Sequence, residues 1–437
     1  MIDRRSFIGA SAAMAALPAW GAAPRHRGNG AFPKGFLWGA STAGHQIEGN
    51  NVGSDSWFLE HLKPTAYEEP SGDAANSFHL WPLDMDIAKN MGLNAYRFSL
   101  EWPRIEPEPG LFSIAMLDHY KRMIEGCRAR GLTPIVTFNH FTAPRWFSAK
   151  GGWTNGEAPQ LFARFCDRAA RHLANGIGYA LTLNEPNILR VLKSLELPPH
   201  IFEGQRAMLA EAARRSLTPK FVAMNVANME DVDAMQALLI AGHKAGRAAI
   251  KAARGDLPVG VSLAMFDDQA AGPNSQLEAK RAEMYGDWLH AARGDDFMGV
   301  QNYERMVWTE KGRLPAPPGA KVNYLDNEVY PPSLEGAVRY AYSQAKLPIL
   351  VTEHGVGTTD DRIRAELIPA ALNGLKKAMD EGVRVAGYCH WSLIDNFEWI
   401  FGYRVKFGLH SFDPVTFKRV PKPSAAVYAA IARRNSL

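Results

Sequence analysis

Two glutamates stand where β-like runs stop, and together they could carry acid–base and nucleophilic chemistry. Glu185 follows the run YALTLN and precedes Pro186, which cannot donate to a sheet ladder and so marks a strand exit. Glu353 ends the run PILVTE, with Gly355 close behind to allow a tight turn. Such a pair works when its members differ in charge: a protonated carboxyl delivers H⁺ to a leaving oxygen while an ionised one attacks carbon. At about 5–5.5 Å separation, this is the arrangement for cleaving a glycoside with retention of configuration. Glu185 is expected as general acid/base and Glu353 as nucleophile. One strand-end glutamate alone is more often a salt-bridged structural residue, but two in matched contexts favour catalysis.

Nearby polar residues suit the pair. Arg97, in AYRFSL, could hold Glu353 ionised by opposite charge, and Tyr303, just after FMGVQN, could donate to the same carboxylate. Asn184 could bond the sugar hydroxyl next to the reacting carbon. When Glu353 is consumed in a covalent intermediate, the repulsion on Glu185 falls and Glu185 can act as base toward water. His140 has no second His or Cys at ligand spacing, so a hydroxyl donor is expected there rather than a metal ligand. No phosphate-cradling glycine loop follows the first strand and no HExxH pair occurs, so neither cofactor nor metal is expected.

These residues need a scaffold that brings distant strand ends together. Eight β-rich runs can be followed: FLWGAS, AYRFSL, TPIVTFNH, YALTLN, VGVSLA, FMGVQN, PILVTE and VAGYCHW. Between them lie amphipathic stretches near residues 117–130, 160–175, 235–253, 280–293, 334–343 and 362–380, with apolar residues at three- and four-residue intervals. Eight strand–helix units predict an α/β fold, a single-domain (β/α)₈ TIM barrel. In such a barrel the strand ends share one face, which would gather Gln46, Arg97, His140, Glu185, Tyr303, Glu353 and Trp391. Residues 189–227 hold helical pieces but no strand and are expected as a long excursion after the fourth strand.

Composition bounds the rest. The chain has 437 residues, 46% hydrophobic and 22% charged, which suits one large globular domain. A net charge of +4, with scattered Lys and Arg, offers no footprint for nucleic acid. Arg4-Arg5, a short apolar run and small residues at Ala19, Gly21 and Ala23 resemble a twin-arginine export signal over residues 1–23. The mature domain would then be residues 24–437, periplasmic or secreted, with no membrane attachment after signal removal. Cys127, Cys166 and Cys389 lack pairing or ligand spacing and are expected as buried apolar side chains.

Five motifs in order make the chain resemble glycoside hydrolase family 1, the β-glucosidase-like group: FLWGASTAGHQIEG, YRFSLEWPRIEPEPG, LNEP, VTEHG and GYCHWSLIDNFEWIFGYRVKFGL. The resemblance runs from FPKG near residue 32 to FGLHSFDP near 407. It implies that Gln46, His140, Asn184, Glu398 and Trp399 line the site for the non-reducing sugar, Glu398 accepting from two hydroxyls. Trp391 would stack beneath the ring, and Phe407 would add an apolar wall. Retention of Glu398-Trp399 implies an unphosphorylated sugar.

Two places depart from the family pattern. After the sixth strand, Gln301-Asn302-Tyr303 stands where relatives show Asn-Tyr-Tyr, altering a position expected to face the leaving group. After Glu185-Pro186 the chain runs NILRVLKSLELPPHIFEG, without the family's usual signals. The expectation is an exo-acting retaining β-glucosidase, with possible β-galactosidase or β-fucosidase activity, acting on small β-glycosides or short oligosaccharides. A non-catalytic carbohydrate-binding protein and a transglycosylase remain alternatives, and oligomeric state is open.

Overall fold

The computed structural model describes residues 30–226 and 228–437, so the twin-arginine pattern lies outside the described residues. Eight parallel strands close into a barrel: β1 (Leu37–Ser41), β2 (Ala95–Ser99), β3 (Thr133–Asn139), β4 (Tyr179–Asn184), β5 (Val259–Ala264), β6 (Phe297–Asn302), β7 (Ile349–His354) and β8 (Val385–Trp391). Closure comes from β1, which pairs with β8 (Ser41 opposite Trp391) and with β2 (Ser41 opposite Arg97). These are the eight runs expected, and helices connect them as a (β/α)₈ fold requires.

The strands are buried almost throughout because helices cover their outer face while side chains fill the inside. Ala95, Ile135, Leu181, Phe297, Leu350 and Cys389, from six different strands, form a cluster distinct from the main strand–helix core. Alternate residues of a strand share a face, so Arg97 projects from β2 to the same side as Ala95, one layer nearer the strand ends. All three cysteines are free and buried, as expected.

Helical bounds shift by a few residues from the periodic stretches, and one expected helix is broken. Residues 280–293 fall in a helical run whose middle, Ala282–Gly286, is a π-turn. Periodicity also passed over Ser77–Asn90, which carries Pro82 inside it, and Pro423–Arg434. The excursion after β4 is helical as anticipated, with Ile188–Ser194 and Glu203–Arg215 joined by a 3₁₀ turn. Among the described residues no helix is long and apolar enough to cross a membrane.

Candidate active site

Glu185 directly follows β4, with a backbone φ of +41° that side-chain-bearing residues rarely adopt. Its N–H is held by the Ser262 carbonyl on β5 at 2.9 Å, and its carbonyl accepts from Ile188 at 2.9 Å. Phe141 (φ +68°) and Trp399 (φ +52°) are held in the same left-handed region beside it. Such conformations cost on the order of 1–3 kcal/mol each and persist where surrounding structure over-determines them.

Glu353, on β7, is gripped from three sides. Its Oε1 accepts from Arg97 Nη1 at 2.5 Å and from Gln301 Nε2 at 2.8 Å, and its Oε2 accepts from the Tyr303 hydroxyl at 2.6 Å. Arg97 and Gln301 also both donate to Asn184 Oδ1, at 2.5 and 2.8 Å. This leaves Asn184 Nδ2 buried and unpartnered. Behind Glu353 the chain must pass close to β8: a Cβ on Gly355 would collide with the Trp391 carbonyl oxygen.

Among the described residues no protein group donates to the Glu185 carboxyl, and electrostatics follow from that asymmetry. Burial raises the Glu185 pKa well above the ordinary carboxylate range, and the charge of Glu353 adds to the rise. Burial also raises Glu353, but there the Arg97 guanidinium and the Tyr303 hydroxyl oppose it. A proton shared between them therefore rests on Glu185. Tyr303 is pushed well above 10 by burial and by Glu353, so it stays a donor.

Glu185 and Glu353 open into a cavity of about 560 Å³, which Gln46, His140, Asn184, Tyr303, Trp391, Glu398, Trp399 and Phe407 also line. The structure thus brings every residue singled out from sequence to one place, Arg97 lying buried beneath the floor. Gln46 Nε2 donates to the Phe397 carbonyl at 2.8 Å and to Glu398 Oε2 at 3.3 Å, leaving Gln46 Oε1 free. Burial and then the Glu353 charge push Glu398 up to about 8. His140 stacks with both Trp391 and Trp399, its ring centroid 5.8 and 6.2 Å from theirs. Burial and then Arg97 hold its pKa well below the usual imidazole value, so it is neutral and has an unpartnered Nδ1.

Sequence reasoning did not place Gln301 among the site residues. Gln301 is the register partner of Glu353 on adjacent strands, a relationship visible only once β6 and β7 are paired. Its place near the end of FMGVQN was the available signal. Of the two altered positions, Asn302 is fully buried, donating to the Met265 and Glu304 carbonyls and accepting from Ser333. The period-2 alternation of a strand turns it away from the face that Gln301 occupies. Among the described residues no group of His, Cys, Asp and Glu is arranged to hold a metal ion.

Comparison with known proteins gives the family and bears out the fold. The family described as glycosyl hydrolase family 1 matches residues 28–241 and 299–437. The solved β-glycosidase BGL167 is 45% identical, with a TM-score of 0.87 over 93% of this chain and 98% of that one. The apo β-glucosidase 1317 is 39% identical, with a TM-score of 0.88 over 92% and 98%. β-Glucosidase A of Thermotoga maritima is 28% identical, covering 93% of this chain and 98% of its own.

Proposed function

The chain belongs to glycosyl hydrolase family 1, and from that premise we propose that this β-glycosidase is a retaining, exo-acting β-glucosidase that also tolerates β-galactosides and β-fucosides. The observation that carries the mechanism is the unequal treatment of two carboxyls in one cavity: Glu353 receives three hydrogen bonds and a positive charge, Glu185 none. The Glu353 carboxylate attacks the anomeric carbon as the bond to the leaving oxygen breaks, and the Glu185 proton passes to that oxygen. Loss of the Glu353 charge then lowers the proton affinity of Glu185, which takes a proton from water as water adds to the same carbon and releases Glu353.

The unpartnered polar atoms Asn184 Nδ2, Gln46 Oε1 and His140 Nδ1 support a terminal sugar, because buried groups of this kind are normally satisfied by a ligand or water. Relatives named as β-glucosidases support glucose. NMR of the first-formed product tests the mechanism: the β-anomer of glucose should appear before mutarotation, and the α-anomer would exclude retention. Glu353→Gly should be inactive on aryl β-glucosides and regain turnover with azide or formate; an absence of rescue removes the nucleophile assignment.

We also infer export through the twin-arginine route, with a mature chain starting near residue 24. Arg4-Arg5, the short apolar run and the small residues that follow support it. Replacement of both arginines by Lys should leave activity in the cytoplasm of a host that otherwise exports it.

A further inference from the structure

Resting on that proposed function, we propose that the leaving group of the natural substrate has an apolar body, an alkyl chain or an aryl or fused-ring system, rather than being a second sugar. The cavity is chemically divided. Its end near Gln46, His140 and Asn184 carries buried polar atoms without partners. The chain that leaves Glu185 supplies Leu192, Leu195, Leu197 and Ile201 to the lining, and Phe266 and Met306 also line the cavity.

The apolar wall is a designed face of its helix. Ile188, Val191, Leu192 and Leu195 recur at i, i+3, i+4 and i+7, and all four line the cavity. The opposite, polar side is tied to the outer helices: Arg190 donates to Gln236 and pairs with Asp233, Lys193 pairs with Asp233, and Lys280 donates to the Ser194 carbonyl and to Glu196. These ties hold the helix in the one orientation that presents its apolar stripe to substrate. The wall extends to the rim, where Ile201 and Leu325 are 46% and 47% exposed.

Four of the other polar lining residues are engaged with each other. Asn323 and Asn327 both donate to Glu304, and Arg313 donates to Asn327; Gln205 and Asn225 add two amides to the lining. A pyranose placed there would shed hydration from several hydroxyls against leucines, whereas an alkyl or aromatic group has no hydroxyls to desolvate. The occupant is specified by covalent continuity: whatever lies against this wall is joined through the glycosidic oxygen that Glu185 faces.

Purified protein assayed on n-alkyl β-D-glucopyranosides from ethyl to octyl, and on cellobiose, tests this. The alkoxide leaving groups are similarly basic, so the chain-length series reads contact with the wall. kcat/KM should climb on the order of two- to fourfold per methylene over the first several carbons. Octyl glucoside should exceed cellobiose at least tenfold. A flat series with cellobiose ahead overturns the inference while leaving the proposed function intact; no turnover of any β-glucoside removes both. Leu195→Asn and Ile201→Asn, at partly exposed positions, should each lower the octyl-to-ethyl ratio severalfold, a readout independent of the folded fraction. An unchanged ratio in both variants also overturns it.

Discussion

Gln301 and Glu353 sit side by side on adjacent barrel strands, and the Gln301 amide donates to the Glu353 carboxylate at 2.8 Å. A hydrogen bond to a charged group is worth about 1.5–3 kcal/mol. Gln301→Leu should therefore lower kcat/KM roughly 10- to 100-fold. The lost N–H favoured the ionised form, so the Glu353 pKa rises and the acidic limb of the pH profile moves to higher pH. An unmoved acidic limb would show that Gln301 does not act on the charge of Glu353.

The proposed mechanism needs Glu185 protonated in its first step, and burial, then the Glu353 charge, raise its pKa in that direction. Activity should fall on the basic side as Glu185 ionises. Glu185→Gln should abolish that limb and slow alkyl glucosides on the order of 10²–10⁴-fold. Substrates with very acidic leaving groups, such as 2,4-dinitrophenyl glucoside, should suffer much less in the bond-breaking step. Equal losses on both substrates would argue against general acid catalysis.

Glu398, pushed up to about 8, holds a proton at neutral pH in the free protein. Two sugar hydroxyls donating to it would stabilise the carboxylate and lower that pKa. Binding of a glucose-like inhibitor at pH 7 should thus release a fraction of a proton, and affinity should rise with pH up to about 8. Calorimetry in buffers of different ionisation enthalpy counts the proton, and Glu398→Gln should abolish the release. Buffer-independent enthalpy in the unaltered protein would contradict this.

Arg419, just before the C-terminal helix, clamps Asp84 of the helix Ser77–Asn90 through Nε at 2.8 Å and Nη2 at 3.2 Å, both side chains buried. Arg419→Met strands the carboxylate and should destabilise by about 3–5 kcal/mol, visible as a lower urea midpoint. The double variant Arg419→Met, Asp84→Leu should recover much of that loss. A double variant as unstable as the single one would place the cost in packing instead of charge.

Much of the fold was legible because its signals are local. Each barrel strand is a short apolar run bounded by its own turn residues, and YALTLN-Glu-Pro or PILVTE-His-Gly can be recognised without knowing any partner. The helix Ser77–Asn90 was not legible: Pro82 interrupts its pattern and is accommodated within the first turns. Gln301 and Asn302 show the same limit within the site. Which of two consecutive strand residues faces the barrel interior depends on the pairing of β6 with β5 and β7, contacts that lie tens of residues away.

Sequence by itself determined which carboxyls stand at strand ends, and hence which chemistry is available to a barrel that gathers those ends. Only the tertiary structure decided how the two differ, because the groups that set their charge come from elsewhere: Arg97 lies 256 positions before Glu353, and Gln301 and Tyr303 lie 52 and 50 before it. The same holds for the apolar stripe after Glu185. The apolar spacing of Ile188, Val191, Leu192 and Leu195 is local, but that these residues line the cavity as well as packing on the core depends on ion pairs and hydrogen bonds to outer helices, which no local pattern encodes.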